Sequence, residues 1–446
     1  MMNRYPEYKE SGVEWIGEIP KHWEIKKLKY VAKILPSNVD KHIYPDEIQV
    51  RLCNYTDVYY NDYITVDTVL KKGSCKESEF AKFVLKKSDV IITKDSETPD
   101  DIGVPTYVKD DLDNVVCGYH LTMLRPLACR GAYIFRFIQS DRTRRYFEVN
   151  SNGITRYGLG KASIENLLLP IPPDSEQQQI ANFLDRKTEQ IDELIHIKER
   201  QIELLQEQRT VLINQAVTKG LDPNVEMKPS GMEWIGEIPA HWKIKKLKYV
   251  AKILPSNVDK HIYPDEIQVR LCNYTDVYYN DYITVDTVLK KGSCKESEFA
   301  KFVLKKSDVI ITKDSETPDD IGVPTYVKDD LDNVVCGYHL TMLRPLACRG
   351  AYIFRFIQSD RTRRYFEVNS NGITRYGLGK PSIENLFLPI PPDSEQRQIA
   401  NFLDDKTEQI DERVATEQRK IELLKEYRQS LISEAVTGKI DVRNEV

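Results

Sequence analysis

Ile171-Pro172-Pro173-Asp174-Ser175-Glu176 marks the point at which the character of the chain changes. Two consecutive prolines block helix continuation and announce a new element behind them. Thereafter Thr188, Ile191, Ile195, Lys198, Ile202, Leu205, Arg209, Leu212 and Ala216 follow alternating steps of three and four, the seam of a coiled coil. A continuous helix from Ser175 to Val217 would be roughly 65 Å long and cannot fold back on itself. Its seam needs a partner.

That partner lies in the second half of the chain. After Ile390-Pro391-Pro392 the register returns at Thr407, Ile410, Val414, Glu417, Ile421, Leu424, Arg428, Leu431 and Ala435. The economical solution is that the two long helices pair antiparallel and space two globular domains, through Ile191, Ile195, Lys198, Ile202 and Leu205 on one side and Ile410, Val414, Glu417, Ile421 and Leu424 on the other. Lys198 and Glu417 hold the same place in the two copies, near the middle of each helix, where equivalent positions of an antiparallel pair meet. A lysine-glutamate pair there would let the two spacers associate; the alternative is two independent exposed charges. The competing reading is two separate amphipathic helices, each lying on its own domain.

Around the helices stands an internal repeat. Ile25 to Lys161 recurs without one change as Ile244 to Lys380, 137 residues at an offset of 219. The flanks are similar: Ser11-Gly12-Val13-Glu14-Trp15-Ile16-Gly17-Glu18-Ile19-Pro20 before the first copy is answered by Ser230-Gly231-Met232-Glu233-Trp234-Ile235-Gly236-Glu237-Ile238-Pro239 before the second. Within a module, β-type runs such as Asp89 to Thr93 and Tyr63 to Val66 alternate with turn signals and a helical stretch around Ala132 to Phe147. The expected fold is therefore two copies of an α/β (α+β) domain joined by long antiparallel coiled-coil helices, an internal pseudo-two-fold repeat. The segments are 1–173, 174–220, 221–392 and 393–446.

Composition narrows the class. With 41% hydrophobic and 30% charged residues the chain reads as a soluble globular protein. No apolar stretch reaches the ~18 residues of a membrane span. Met1 to Lys9 is polar and unlike a secretion signal, so no membrane contact and a cytoplasmic location are expected. The eight cysteines then read as reduced and buried; they form no Cys-x-x-Cys pair and stand near no histidine of zinc spacing, so neither metal nor disulfide is expected.

Charge is unevenly spread. Each repeated module holds 14 Lys and 8 Arg against 13 Asp and 5 Glu, a net +4, while the whole chain carries −5. Basic surface is thus concentrated in the modules, as contact with phosphates requires. The densest part is Arg136, Arg142, Arg144, Arg145 and Arg156, interleaved with Tyr146, Asn150, Asn152 and Tyr157. Arginine forks match phosphates and guanine edges, and asparagine pairs bidentately with adenine. The expected DNA face runs from Arg142 to Lys161 and from Arg361 to Lys380. Arg142, Arg144 and Arg145 fall to phosphates, with Arg361, Arg363 and Arg364 as their copies. Asn150, Asn152, Arg156 and Tyr157 fall to base edges, with Asn369, Asn371, Arg375 and Tyr376. Lys94 and Ser96, repeated as Lys313 and Ser315, are secondary candidates in a loop after the strand.

No catalytic motif emerges. Gly158-Leu159-Gly160-Lys161 lacks the Ser or Thr of a phosphate loop, with Ala162 and Pro381 in its place, and reads as a turn. Pro99-Asp100 has no companion lysine of a nuclease and reads as an acidic turn. Neither an Asn-Pro-Pro-aromatic cage for a flipped adenine nor a Gly-rich seat for a methyl donor is found. His22, His42, His120 and His196 have no nucleophile or carboxylate at a recognisable spacing and read as structural.

Tyr5-Pro6-Glu7-Tyr8-Lys9-Glu10-Ser11-Gly12, Glu14-Trp15-Ile16-Gly17, His22-Trp23, Leu169-Pro170-Ile171-Pro172-Pro173 with Glu176-Gln177 and Ile180-Ala181, and Ala435-Val436-Thr437-Gly438-Lys439-Ile440-Asp441 together resemble the specificity subunits of type I restriction-modification systems. The resemblance spans the chain. It implies two target-recognition domains alternating with two helical spacers, bound to double-stranded DNA, two methyltransferase subunits and two restriction-translocase subunits. S-adenosylmethionine, ATP and Mg would belong to those partners, leaving this chain without a cofactor or catalytic site. One departure matters: family members usually carry two different recognition domains and read an asymmetric site, whereas identical modules imply a palindromic one, with half-sites ~10 bp apart in the simplest geometry. The alternative is a duplicated-domain coiled-coil scaffold without sequence-specific DNA binding. A self-contained methyltransferase or nuclease lacks its motifs.

Overall fold

The computed structural model describes residues 3–445. Two compact units emerge, one of residues up to Glu199 together with those from Arg419 onward, the other of Arg200–Gln418. The expected spacers 174–220 and 393–446 are thus each shared between units.

In the first unit the central sheet has the strand order Ala32–Pro36, Leu121–Pro126, Val90–Thr93, Pro105–Val108, Tyr63–Ile64. Its middle strand reads Val-Ile-Ile-Thr with no polar alternation because both faces are covered. Val90 and Ile92 enter a core with helix Gly131–Ile138 and Trp23. Ile91 points the other way, into a second core with Leu52, Phe83 and Val116. A three-stranded sheet, Val115–Cys117, Ile48–Cys53 and Lys71–Cys75, closes that second core. Cys53, Cys75 and Cys117 are buried free thiols there, and burial pushes Cys75 up to about 11.

The helical stretch expected around Ala132 to Phe147 is two helices, Gly131–Ile138 and Asp141–Asn150. Ser140 separates them as an N-cap, its Oγ accepting the Thr143 N–H at 3.4 Å. Arg136, counted above with the basic cluster, needs correcting: it is fully buried. Its guanidinium donates to Asp185 Oδ1 at 2.7 Å, Tyr63 Oη at 2.8 Å, Gln139 Oε1 at 2.8 Å and Thr188 Oγ1 at 3.0 Å. Such a group pins the module to the first turns of the long helix and is closed to DNA. Arg355 does the same in the second unit, with Asp404 at 2.6 Å and Thr407 at 3.0 Å.

The long helices are Asp174–Lys219 and Asp393–Val436. Within the first unit they run antiparallel, since Arg428 meets Asp192 at 2.9 Å while Arg443, beyond the helix end, meets Glu176 at 3.5 Å. Within the second, Arg209 meets Asp411 at 3.2 Å, and the Tyr352 hydroxyl lies within hydrogen-bond reach of the Val217 carbonyl at 3.1 Å, near the end of one helix, and of the Pro389 carbonyl at 2.9 Å, just before the other. The coiled-coil seam matches burial: Thr188, Ile191, Leu205, Ile410 and Ile421 are buried, and Ile195, Ile202, Val414 and Leu424 are half-buried. Lys198 belongs to the first unit and Glu417 to the second.

The first unit is completed by the segment after the second long helix. Gly438 ends that helix with φ +70, and a Cβ there would stand 2.3 Å from Pro20 Cδ, so only glycine fits. Beyond it Asp441 N–H donates to the Asn3 carbonyl at 2.7 Å, and Asp441 pairs with Arg443 at 2.6 Å.

Candidate nucleic-acid interface

A small sheet organises the expected DNA face. Strands Ser151–Gly153 and Tyr157–Leu159 form a hairpin, with Gly153 opposite Tyr157. Asp95–Ser96 adds a third strand, placing Tyr157 opposite Ser96 and Gly158 opposite Asp95. The two segments singled out in the sequence therefore meet, although more than fifty residues separate them. Gly153 has φ +153, and a Cβ there would stand 1.9 Å from the Arg156 carbonyl, so the hairpin tip is tight by construction.

The expected residues divide by what their side chains already do. Arg144, Arg145, Asn152 and Arg156 are exposed. Tyr157 is half-buried against the core. The Arg142 guanidinium donates to the Trp15 carbonyl, and Asn150 Nδ2 donates to the Tyr146 carbonyl at 2.8 Å. Lys161 pairs with Glu165 at 3.4 Å. Lys94 Nζ donates to the Ser37 carbonyl at 2.8 Å and stands 4.6 Å from the centre of the Tyr119 ring. Ser96 is buried, its Oγ accepting the Thr98 N–H at 3.3 Å, which makes it a support of the sheet.

The second module repeats this division. Arg363, Arg364, Asn371 and Arg375 are exposed, Tyr376 is half-buried, and Ser315 is buried. Arg361 donates to the Trp234 carbonyl at 2.6 Å, Asn369 to Tyr365 at 2.8 Å and Lys313 to Ser256 at 2.8 Å, while Lys380 pairs with Glu384 at 3.4 Å.

Sequence reasoning missed a groove beside the small sheet. About 490 Å³ in volume, it is lined by Lys41, His42, Tyr55, Lys71, Lys72, Tyr119 and His120, among others. His120 Nδ1 lies 2.8 Å from Asp95 Oδ2, so Asp95 joins the hairpin sheet to the groove wall. Exposed lysines with half-exposed tyrosine faces suit a nucleic-acid strand. Lys71-Lys72 and Tyr119-His120 are visible in the sequence, but only strand pairing brings them together. Arg142, Arg144 and Arg145 line a separate groove of about 1180 Å³ with Trp15, Asn150 and the end of the second long helix, including Gln429 and Ser433.

The comparisons with known proteins agree with this architecture. A family profile described as the type I restriction modification DNA specificity domain matches residues 20–204 and again 239–426. The MjaVIII specificity subunit of a type I restriction enzyme from Methanocaldococcus jannaschii is 22% identical over 451 residues, covering 98% of each chain. Among solved structures, a chain from work on complex assembly and conformational transition of the type I R-M system superposes with a TM-score of 0.72 at 15% identity, covering 94% of this chain and 98% of that one. The HsdS subunit from Thermoanaerobacter tengcongensis gives 0.53 at 17% identity, covering 95% and 98%. With its profile matched once per module, the chain belongs to the type I restriction-modification DNA specificity family, as a non-catalytic specificity subunit with two target-recognition domains.

Proposed function

We propose that each module reads one half of a bipartite DNA site with the face formed by its hairpin and the adjoining groove, and that the chain holds two adenine-N6 methyltransferase subunits and two restriction-translocase subunits on that site. S-adenosylmethionine, ATP and Mg would serve those partners. The observation that carries the reading is the pairing of Tyr157-Gly158 with Asp95-Ser96, which brings the hairpin beside Lys94 and, through Asp95 and His120, beside the lysine-tyrosine groove. Asn152 and Arg156 take base edges, with Tyr157 beside them; Arg144, Arg145, Lys71 and Lys72 take phosphates. Arg142, Asn150, Ser96 and their copies, whose polar groups are occupied, hold these residues in place.

Identical modules make identical contacts, so both prefer the same half-site. Each unit combines the start of one long helix with the end of the other. An antiparallel pairing of the two spacers, the arrangement expected from their seams, would make the target an inverted repeat. A test is fluorescence polarisation of the complex with its methyltransferase on duplex DNA. Affinity should fall steeply with salt, and Arg156→Ala with Arg375→Ala should lose about 1–3 kcal/mol per specific contact. Unchanged specific binding in that double variant would remove the assignment.

A further inference from the structure

The hairpin that carries Asn152 and Arg156 ends in an apolar tip. Ile154 is 91% exposed, and its copy Ile373 is 92% exposed. Turns of this kind ordinarily take Gly, Asn or Asp, because a β-branched side chain restricts the backbone there and gains no burial. Here Ile154 and Thr155 stand side by side at the tip, while Gly153 alone absorbs the unusual backbone geometry. The base of the hairpin is braced: Tyr157 packs against the core, and Ser151 Oγ donates to the Glu148 carbonyl at 2.8 Å.

Exposure and charge together distinguish this tip: Leu127 and Tyr30 also stand in acid-free stretches but are only 68% and 65% exposed. From Val149 to Ile164 the chain has no acidic residue, whereas Val69, exposed to a similar degree, stands two residues from Asp67. A hairpin braced at its base, without acidic residues of its own and with an arginine two residues from an exposed isoleucine, is suited to enter a DNA groove. Apolar side chains so presented lodge against or between bases and kink the duplex, by about 20–90° in proteins that use this device. We propose that Ile154 and Ile373 are wedges that press on a base step in each half-site and bend the bound DNA. This deepens the DNA reading above and rests on it.

The test uses the complex of the chain with its methyltransferase subunits and a duplex bearing the methylated motif, with fluorophores at its two ends. For the parent, energy transfer should report a bent duplex. Ile154→Ser with Ile373→Ser should relax the bend and speed dissociation from the motif by about tenfold or more, with the salt dependence unchanged. Ile154→Leu with Ile373→Leu should keep the bend. A serine variant that bends DNA and dissociates as the parent does would overturn the wedge while leaving the DNA reading intact. A parent complex that does not prefer the motif duplex over random duplex would overturn both.

Discussion

The two recognition modules are identical over 137 residues, whereas the helices that carry them differ, and the contrast separates what is duplicated from what is specialised. Each module pins itself to a long helix through the same arginine, Arg136 or Arg355. The surroundings of those anchors diverge. Glu176 in the first unit accepts Trp23 Nε1–H at 2.6 Å, lies 2.9 Å from His22 Nε2 and is reached by Arg443, with its side chain 6% exposed. Among the described residues its counterpart Glu395 meets the corresponding Trp242 at 2.9 Å and His241 at 2.7 Å, and it is 34% exposed. The first unit is closed by a chain segment meeting Asn3, the second by continuous chain running from Gly220 to Met227. DNA contacts should therefore be equal at the two modules, and stability should not.

The largest expected effect tests the equality. Arg136→Ala and Arg355→Ala should each destabilise their own unit by about 3 kcal/mol, the lower end for breaking a buried pair, because Asp185 and Asp404 stay partly solvated. Hydrogen exchange over the first turns of the two long helices, whose sequences differ at Gln178 and Arg397 and at Arg186 and Asp405, reads the two units separately. A difference between them above about 1 kcal/mol would break the equivalence. At the DNA face, Arg156→Ala and Arg375→Ala taken singly should weaken binding to the motif equally, by about 1–3 kcal/mol each. Unequal losses would mean that the two half-sites are read differently.

Smaller effects should expose the difference. Glu176→Gln should cost about 2 kcal/mol and Glu395→Gln about 1 kcal/mol, since the first charge is buried with more donors around it. Thermal unfolding of the two variants compares them, and equal shifts would refute the contrast. The smallest effect is set by pH. Arg443 holds the Asp441 carboxyl below its ordinary range, so this carboxylate adds stability above the unfolded value near ~3.9 and loses it as pH falls through the lower folded value. Exchange should rise around Asp441 below about pH 4 without a matching rise around Asp222, in the link that takes this segment's place in the second unit. Asp174 and Asp393 are held low by Arg130 and Arg349 in both units, with Arg397 adding to the effect at Asp393.

The helices were legible because a seam needs only periodicity, which survives in Thr188 to Ala216 and Thr407 to Ala435. The proposed DNA face had a partial signal in the sequence. Asn152 and Arg156 are exposed, but Arg136 looked like its neighbours in a basic helix until the fold buried it against Asp185. The groove was not legible, because Asp95–Ser96 is a two-residue strand with no pattern of its own. Its pairing with Tyr157-Gly158 is a long-range event, and from it follow both the closeness of Lys94 to the hairpin and the burial of Ser96.

The central claim is that identical modules read identical half-sites in opposite orientation. Sequencing adenine methylation across the genome of a host that expresses the chain with its methyltransferase subunit tests it directly. The account predicts one motif, an inverted repeat of a few base pairs around an unread gap, methylated on opposite strands in its two halves. A motif with two unrelated halves, or a direct repeat, would contradict it.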